Sequence, residues 1–168
     1  MGLLDILQKG VQAMINEANT PERFKVGRAF EEYTREFLFV DNYYKLVERT
    51  HDYSTNRKDF VESTMKPDFT FRDNWTKKEF YLEAKFRSGL YKDKIMWCTD
   101  AQMARYKEYA KERPLFVLLG FGADPKYPEF LSLIPLAEAK YTGIFPSYAE
   151  KFAIELDKAV TSKTLWNR

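Results

Sequence analysis

Cysteine and histidine are almost missing from this chain: Cys98 and His51 are the only ones among 168 residues. A lone cysteine excludes an internal disulfide framework and a cysteine-based zinc site, and a lone histidine excludes a His-rich metal centre. A dominant charge of one sign is missing as well. Lys and Arg number 27 against 25 Asp and Glu, for a net charge of +2. That is not the profile of a protein that coats nucleic acid, so any such binding has to come from a local patch. No apolar run is long enough to span a bilayer, so no membrane partner is expected. Near the start, Asp5 and Lys9 interrupt the apolar residues and no cleavage pattern follows. A signal peptide is therefore not expected, and a reducing, cytoplasmic location is. No GxxxxGK[ST] loop occurs, and Gly120 and Gly122 lack phosphate-loop spacing. There is no helix-turn-helix or other separate recognition module, no internal repeat and no low-complexity segment.

What is present is apolar and aromatic: 45% hydrophobic residues and 17% aromatics, which argues against disorder. The length suits a single domain over residues 1–168 with a real core. Within it, residues 1–20 read as an N-terminal helix, 21–136 as the core and 137–168 as a C-terminal helical segment. Leu3, Leu4, Leu7, Val11, Met14, Ile15 and Ala18 recur at helical spacing. That helix either covers the core or forms a homodimer contact. Thr20-Pro21 opens a second helix, expected to reach about Val40. Its buried side is expected to hold Phe24, Gly27, Phe30, Thr34, Phe37 and Leu38, with Gly27 permitting close approach to a sheet. A first strand follows over 43–50, then a polar loop over 51–59 in which Arg57 and Lys58 are candidate phosphate contacts; a plain solvated loop is the alternative.

Residues 67–72 and 79–85 each alternate apolar and polar side chains, and Asp73 to Lys78 between them reads as a turn. Folding the hairpin about the Trp75–Thr76 bond sets Asp68 opposite Glu83, with Cβ atoms roughly 5 Å apart. Two like charges there need a positive partner. Lys85 is one candidate, since Glu83, Lys85 and Arg87 share a strand face. A hydrated Mg²⁺ ion held by two carboxylates is the other.

Beyond the hairpin, residues 89–98 interleave Tyr91, Lys92 and Lys94 with Trp97 and Cys98. The two lysines read as nucleic-acid contacts, and Trp97 and Cys98 as buried. Thr99 to Gln102 forms a capping box for a helix expected over 100–112, where Tyr106 fits the packing stripe with Met103 and Ala110. Leu115 to Leu119 is apolar throughout, as in a strand covered on both faces, and the strand–helix–strand order predicts a parallel crossover. A further strand over 130–136, expected at a sheet edge, precedes a last helix capped by Ser147 and Glu150. That helix is expected to carry Tyr148, Phe152, Leu156, Ala159 and Val160.

Pro67-Asp68 followed by Glu83-Ala84-Lys85 resembles the signature of the PD-(D/E)XK nucleases, the restriction-endonuclease-like family. The resemblance spans residues 22 to 135 and implies an α/β fold: a central mixed β-sheet flanked by helices, with an αβββαβ core and an extra N-terminal helix. It implies a Mg²⁺-dependent DNA endonuclease, with Mn²⁺ as a substitute. Asp68, Glu83 and the Ala84 carbonyl would be metal ligands, with Lys85 holding water and phosphate or acting as general base. The stretch Gly27 to Glu31 resembles the first-helix motif, which would make Glu31 a further ligand; an ordinary surface glutamate is the alternative. The Gln102-x-x-x-Tyr106 spacing resembles that of resolvase-like and RecB-like branches. It implies a catalytic Gln102 and a nucleic-acid contact at Tyr106, alongside Arg57, Lys58, Arg87, Lys92 and Lys94. A catalytically silent nucleic-acid-binding module on the same fold is the alternative function. A Mg²⁺ enzyme of another kind is disfavoured by the missing nucleotide loop.

Overall fold

The computed structural model describes residue 3, residues 20–50 and residues 66–168. The expected N-terminal helix, apart from a buried, helical Leu3, and the loop carrying Arg57 and Lys58 lie outside the described residues. Helix α1 covers Thr20–Tyr33 and runs into a π-helical turn over Thr34–Leu38. The widening has a local cause. Thr34 Oγ1 donates back to the Phe30 carbonyl at 2.8 Å, and the Phe39 N–H reaches five residues back to the Thr34 carbonyl at 2.8 Å. The helical run thus stops at Leu38. Its buried side is Phe30, Tyr33, Thr34 and Leu38, whereas Phe24 and Phe37 are exposed. A Cβ on Gly27 would meet nothing, so the expected close approach there is not made.

Strands β1 (Tyr44–Arg49), β2 (Phe69–Asp73) and β3 (Glu79–Arg87) form an antiparallel meander. Two-residue β4 (Ile95–Met96) and helix α2 (Asp100–Tyr109) lead into β5 (Leu115–Phe121), which lies parallel to β3. Then come β6 (Phe130–Pro135), β7 (Gly143–Ile144), the single turn α3 (Pro146–Ala149), β8 (Ala153–Ile154) and α4 (Ser162–Trp166). The six-stranded sheet has the order β1-β2-β3-β5-β6-β8, and β4 pairs with β7 in a separate two-stranded ribbon. The fold is therefore mixed α/β, with a mostly antiparallel sheet and one parallel pair.

Two layers of side chains sandwich the sheet. Leu82, Ala84, Phe86, Phe116 and Leu118 pack toward Phe30 and Tyr33 of α1. On the other face, Tyr81, Val117 and Leu119 pack toward Met103 and Tyr106 of α2. All seven residues of β5 are buried, as its continuous apolar run predicts. The glycine that admits α1 is Gly120, where a Cβ would stand 2.5 Å from the Phe30 ring.

The C-terminal region departs from its helical pattern. Strand β6 is not an edge, because β8 pairs outside it through Leu131↔Ile154 and Ser132↔Ala153. No helix runs from Ser147 to Val160; α3 is capped by Phe145 with no side-chain bond. Asp157 turns into the left-handed region at φ 53°. Its backbone N–H donates to the Tyr33 hydroxyl, which in turn donates to its carboxylate, each at 2.9 Å. A pairing and a tertiary bond thus override the local apolar period.

Candidate active site

The β2–β3 hairpin has the expected register. Phe69 pairs with Leu82, Thr70 with Tyr81 and Phe71 with Phe80, so one further step sets Asp68 opposite Glu83. The turn is built on Asp73, whose carboxylate accepts from the Trp75 N–H at 2.8 Å and the Thr76 hydroxyl at 3.0 Å. The ladder changes character at its open end, where Pro67 has no N–H to give. The Asp68 N–H donates to Glu83 Oε2 at 3.2 Å, and the Ala84 N–H donates to Asp68 Oδ2 at 2.8 Å. Side-chain carboxylates thus replace backbone carbonyls as acceptors, which draws both acids to one point. Since a strand residue's N–H and C=O point the same way, the Ala84 carbonyl faces this end too.

Glu83 is only 3% exposed. Its Oε1 receives Lys85 Nζ at 2.8 Å and the Tyr106 hydroxyl at 2.8 Å. Tyr106 is held by Trp97, whose ring stacks on it at 5.6 Å with 14° between planes. Burial pushes the Asp68 carboxyl well above its ordinary range. The neighbouring Glu83 and Glu31 charges add to this, against Lys85 and the Ala84 N–H. For Lys85, burial acts downward, but Glu83 and Asp68 outweigh it, so its ammonium titrates above its usual value. Burial and then Glu83 drive the Tyr106 phenol upward as well. At neutral pH Lys85 is a cation and Tyr106 a proton donor.

Asp68, Glu83, the Ala84 backbone and Lys85 are thus brought together. Glu31 is near enough to act on Asp68 electrostatically, but Arg49 holds it, Nη2 to Oε2 at 3.0 Å, while the other arm of Arg49 takes Glu32 at 2.9 Å. Among the described residues no cluster of three or more His, Cys, Asp or Glu side chains could hold a metal. What the two acids offer is an all-oxygen set with a carbonyl beside it. Burial is the main reason the Asp68 carboxyl is raised, with Glu83 and Glu31 adding to it, and a hard divalent cation with several waters would favour the ionised form of both acids. Two carboxylates and a carbonyl are donors of the type such an ion takes, though fewer than the three acidic or imidazole side chains of a complete cluster.

Other sequence candidates sit elsewhere. Gln102 Oε1 accepts the Thr99 N–H at 2.9 Å, completing the capping box. Arg87 donates to the carbonyls of Phe86, Met96 and Trp97 at 2.7 to 3.0 Å, which ties β3 to the β4 segment. Tyr106 is 4% exposed and points at Glu83, not at a surface strand of nucleic acid. Lys92 is exposed in a tight turn at φ 49°, and Lys94 lies over the Phe145 ring at 5.1 Å.

Two neighbours went unnoticed in the sequence. Arg49 ends β1 opposite Phe69, beside Asp68; the β1–β2 pairing is the signal that locates it. Cys98, read only as buried, lies within the fields of Lys85 and Glu83, and burial lifts its thiol to about 12.

No protein-family model matches the chain, and no curated protein matches it. Among the described residues no helix is long and apolar enough to cross a membrane.

Proposed function

We propose that the chain is a metal-dependent DNA endonuclease of the PD-(D/E)XK type, on a restriction-endonuclease-like core. One observation carries the reading: the convergence of Asp68, Glu83 and Lys85 at the open end of a single hairpin, with each acid accepting a backbone N–H of the other strand. A bare surface ion pair needs none of that reciprocal bonding. The order of the elements agrees with the reading: a helix, three antiparallel strands, a crossover helix and a buried parallel strand.

A divalent cation bound by Asp68, Glu83 and the Ala84 carbonyl would supply charge neutralisation and a water of lowered pKa. The chain's own residues do the rest. Lys85, charged and 19% exposed at its side chain, presents its ammonium to the scissile phosphate and the attacking water. Its raised pKa favours this over a general-base role. Glu83 fixes the direction of Lys85, and Tyr106 fixes Glu83. In hydrolysis the water oxygen bonds to phosphorus as the bond to the leaving oxygen breaks, and negative charge grows on the phosphate where Lys85 can meet it.

The test is cleavage of labelled duplex, single-stranded, flap and four-way-junction DNA in Mg²⁺, in Mn²⁺ and in EDTA, beside Lys85→Ala. Metal-dependent cutting that the variant loses supports the reading. Salt-sensitive binding of the same DNA without cutting on any substrate favours a silent binding module instead.

A further inference from the structure

The β4–β7 ribbon carries an outer face that neither core layer absorbs. Ile95 and Ile144 point inward and are buried, while Met96, Tyr141 and Phe145 are 37%, 76% and 52% exposed. The pairing Met96↔Gly143 sets Met96 on the face opposite Ile95 and Ile144, and Phe145, in extended backbone one residue past β7, and Tyr141, in the bend before it, flank that pair. Gly143 leaves room for Met96 and Lys94 over the ribbon: a Cβ there would meet the Met96 sulfur at 2.7 Å and the Lys94 side chain at 3.1 Å. Lys94 Nζ rests 5.1 Å from the Phe145 ring centre, and Lys140, next to Tyr141, is exposed. Two large rings and a methionine left outward together on one small ribbon form an exposed apolar patch of the kind that marks a binding surface. Rings alternating with amines match bases and phosphates in turn. Asp93, in the Tyr91–Lys94 turn that leads into β4, is outnumbered by Lys92 and Lys94.

The ribbon also sits beside the candidate site. Arg87 of β3 holds the Met96 and Trp97 carbonyls, and Trp97 stacks on the tyrosine that donates to Glu83. We propose that the outer face of the ribbon is a stacking platform for single-stranded DNA, with bases on Tyr141 and Phe145 and phosphates on Lys94. This rests on the nuclease reading for what happens to the strand, and it makes substrates with a single-stranded arm the preferred class.

The experiment is fluorescence anisotropy of a labelled oligo-dT about twelve nucleotides long, with the full chain in EDTA, against a duplex of equal length. Tyr141→Ala, Phe145→Ala and Lys94→Gln are compared, with circular dichroism and melting to verify folding. The exposed Tyr141 ring makes its variant the one least exposed to misfolding. Each ring substitution is expected to weaken oligo-dT binding about tenfold, with the salt slope unchanged. Lys94→Gln is expected to reduce that slope by about 0.7. Oligo-dT binding unchanged in the folded Tyr141→Ala and Phe145→Ala double variant overturns the inference. So does a change from dimer to monomer in sedimentation with no loss of DNA binding, since a second copy would then be the occupant. Loss of oligo-dT binding in these variants, with a wild-type chain that cuts nothing, retains the platform and removes the nuclease reading. Metal-dependent cutting indifferent to the ring variants does the reverse.

Discussion

Tyr106→Phe isolates one bond in the site. The hydroxyl donates 2.8 Å to Glu83 Oε1, the same oxygen that receives Lys85 Nζ. The ring itself stays packed against Trp97 at 5.6 Å, so the substitution leaves the core volume nearly unchanged. A hydrogen bond to a charged acceptor contributes about 1.5–3 kcal/mol. The upper half of that range applies here, because Glu83 is 3% exposed and water cannot easily replace the lost donor. For a domain of this length each kcal/mol shifts Tm by about 2–4 °C, so a fall of about 4–12 °C is expected. The assay is thermal or urea unfolding of wild type, Tyr106→Phe, Lys85→Met and the double variant. Because both donors share one oxygen, the two effects should not add, with a coupling of about 0.5–3 kcal/mol. An unchanged Tm in Tyr106→Phe, or strict additivity, refutes the argument that these groups form one network around Glu83.

Gly120→Ala should destabilise by about 1–3 kcal/mol in the same assay. The new methyl would lie 2.5 Å from the Phe30 ring, which Phe86 confines at 5.5 Å; Gly27→Ala, with open space at its Cβ, should not destabilise. Burial opposes ionisation of Asp73, but bonds from Ser162, Trp166, the Trp75 N–H and Thr76 outweigh it and hold its carboxyl below the ordinary value. Its contribution to stability is therefore present above the unfolded-state pKa and is lost as pH falls through the depressed folded value. Asp73→Ala should cost about 2–4 kcal/mol at neutral pH, the difference from wild type should shrink in acid, and limited proteolysis should release the α4 end first. The Cys98 thiol, lifted by burial to about 12, should stay unreactive toward a disulfide reagent at neutral pH until the chain unfolds; rapid labelling of the native protein would refute its placement.

The hairpin was legible because two kinds of information agreed. Alternation in 67–72, the apolar Phe80-Tyr81-Leu82 run in the facing segment and the Asp73-Asn74 turn signal point to one register, folded about the Trp75–Thr76 bond. That register sets Asp68 opposite Glu83 with no tertiary knowledge. The C-terminal segment was not legible for the opposite reason. Tyr148, Phe152, Leu156 and Val160 mimic a helical period, yet the chain is broken by pairing with β6 and by Asp157's bond to Tyr33, 124 residues away. Glycine roles failed similarly: Gly27 sits in the approaching helix, but the space is needed on the facing strand at Gly120. Tyr106 was visible as a buried helix position, while its bond to Glu83 depends on how α2 lies over β3.

The measurement that bears most directly on the nuclease reading is single-turnover cleavage of one flap DNA by wild type and Lys85→Ala in Mg²⁺ and in EDTA. Removing one partner of a buried ion pair is costly, about 3–5 kcal/mol, so the variant's folding is verified at the assay temperature. The account predicts cutting by wild type in Mg²⁺ alone and a loss of at least a hundredfold in the folded variant. Cutting that persists in EDTA, or that survives in folded Lys85→Ala at the wild-type rate, would contradict it.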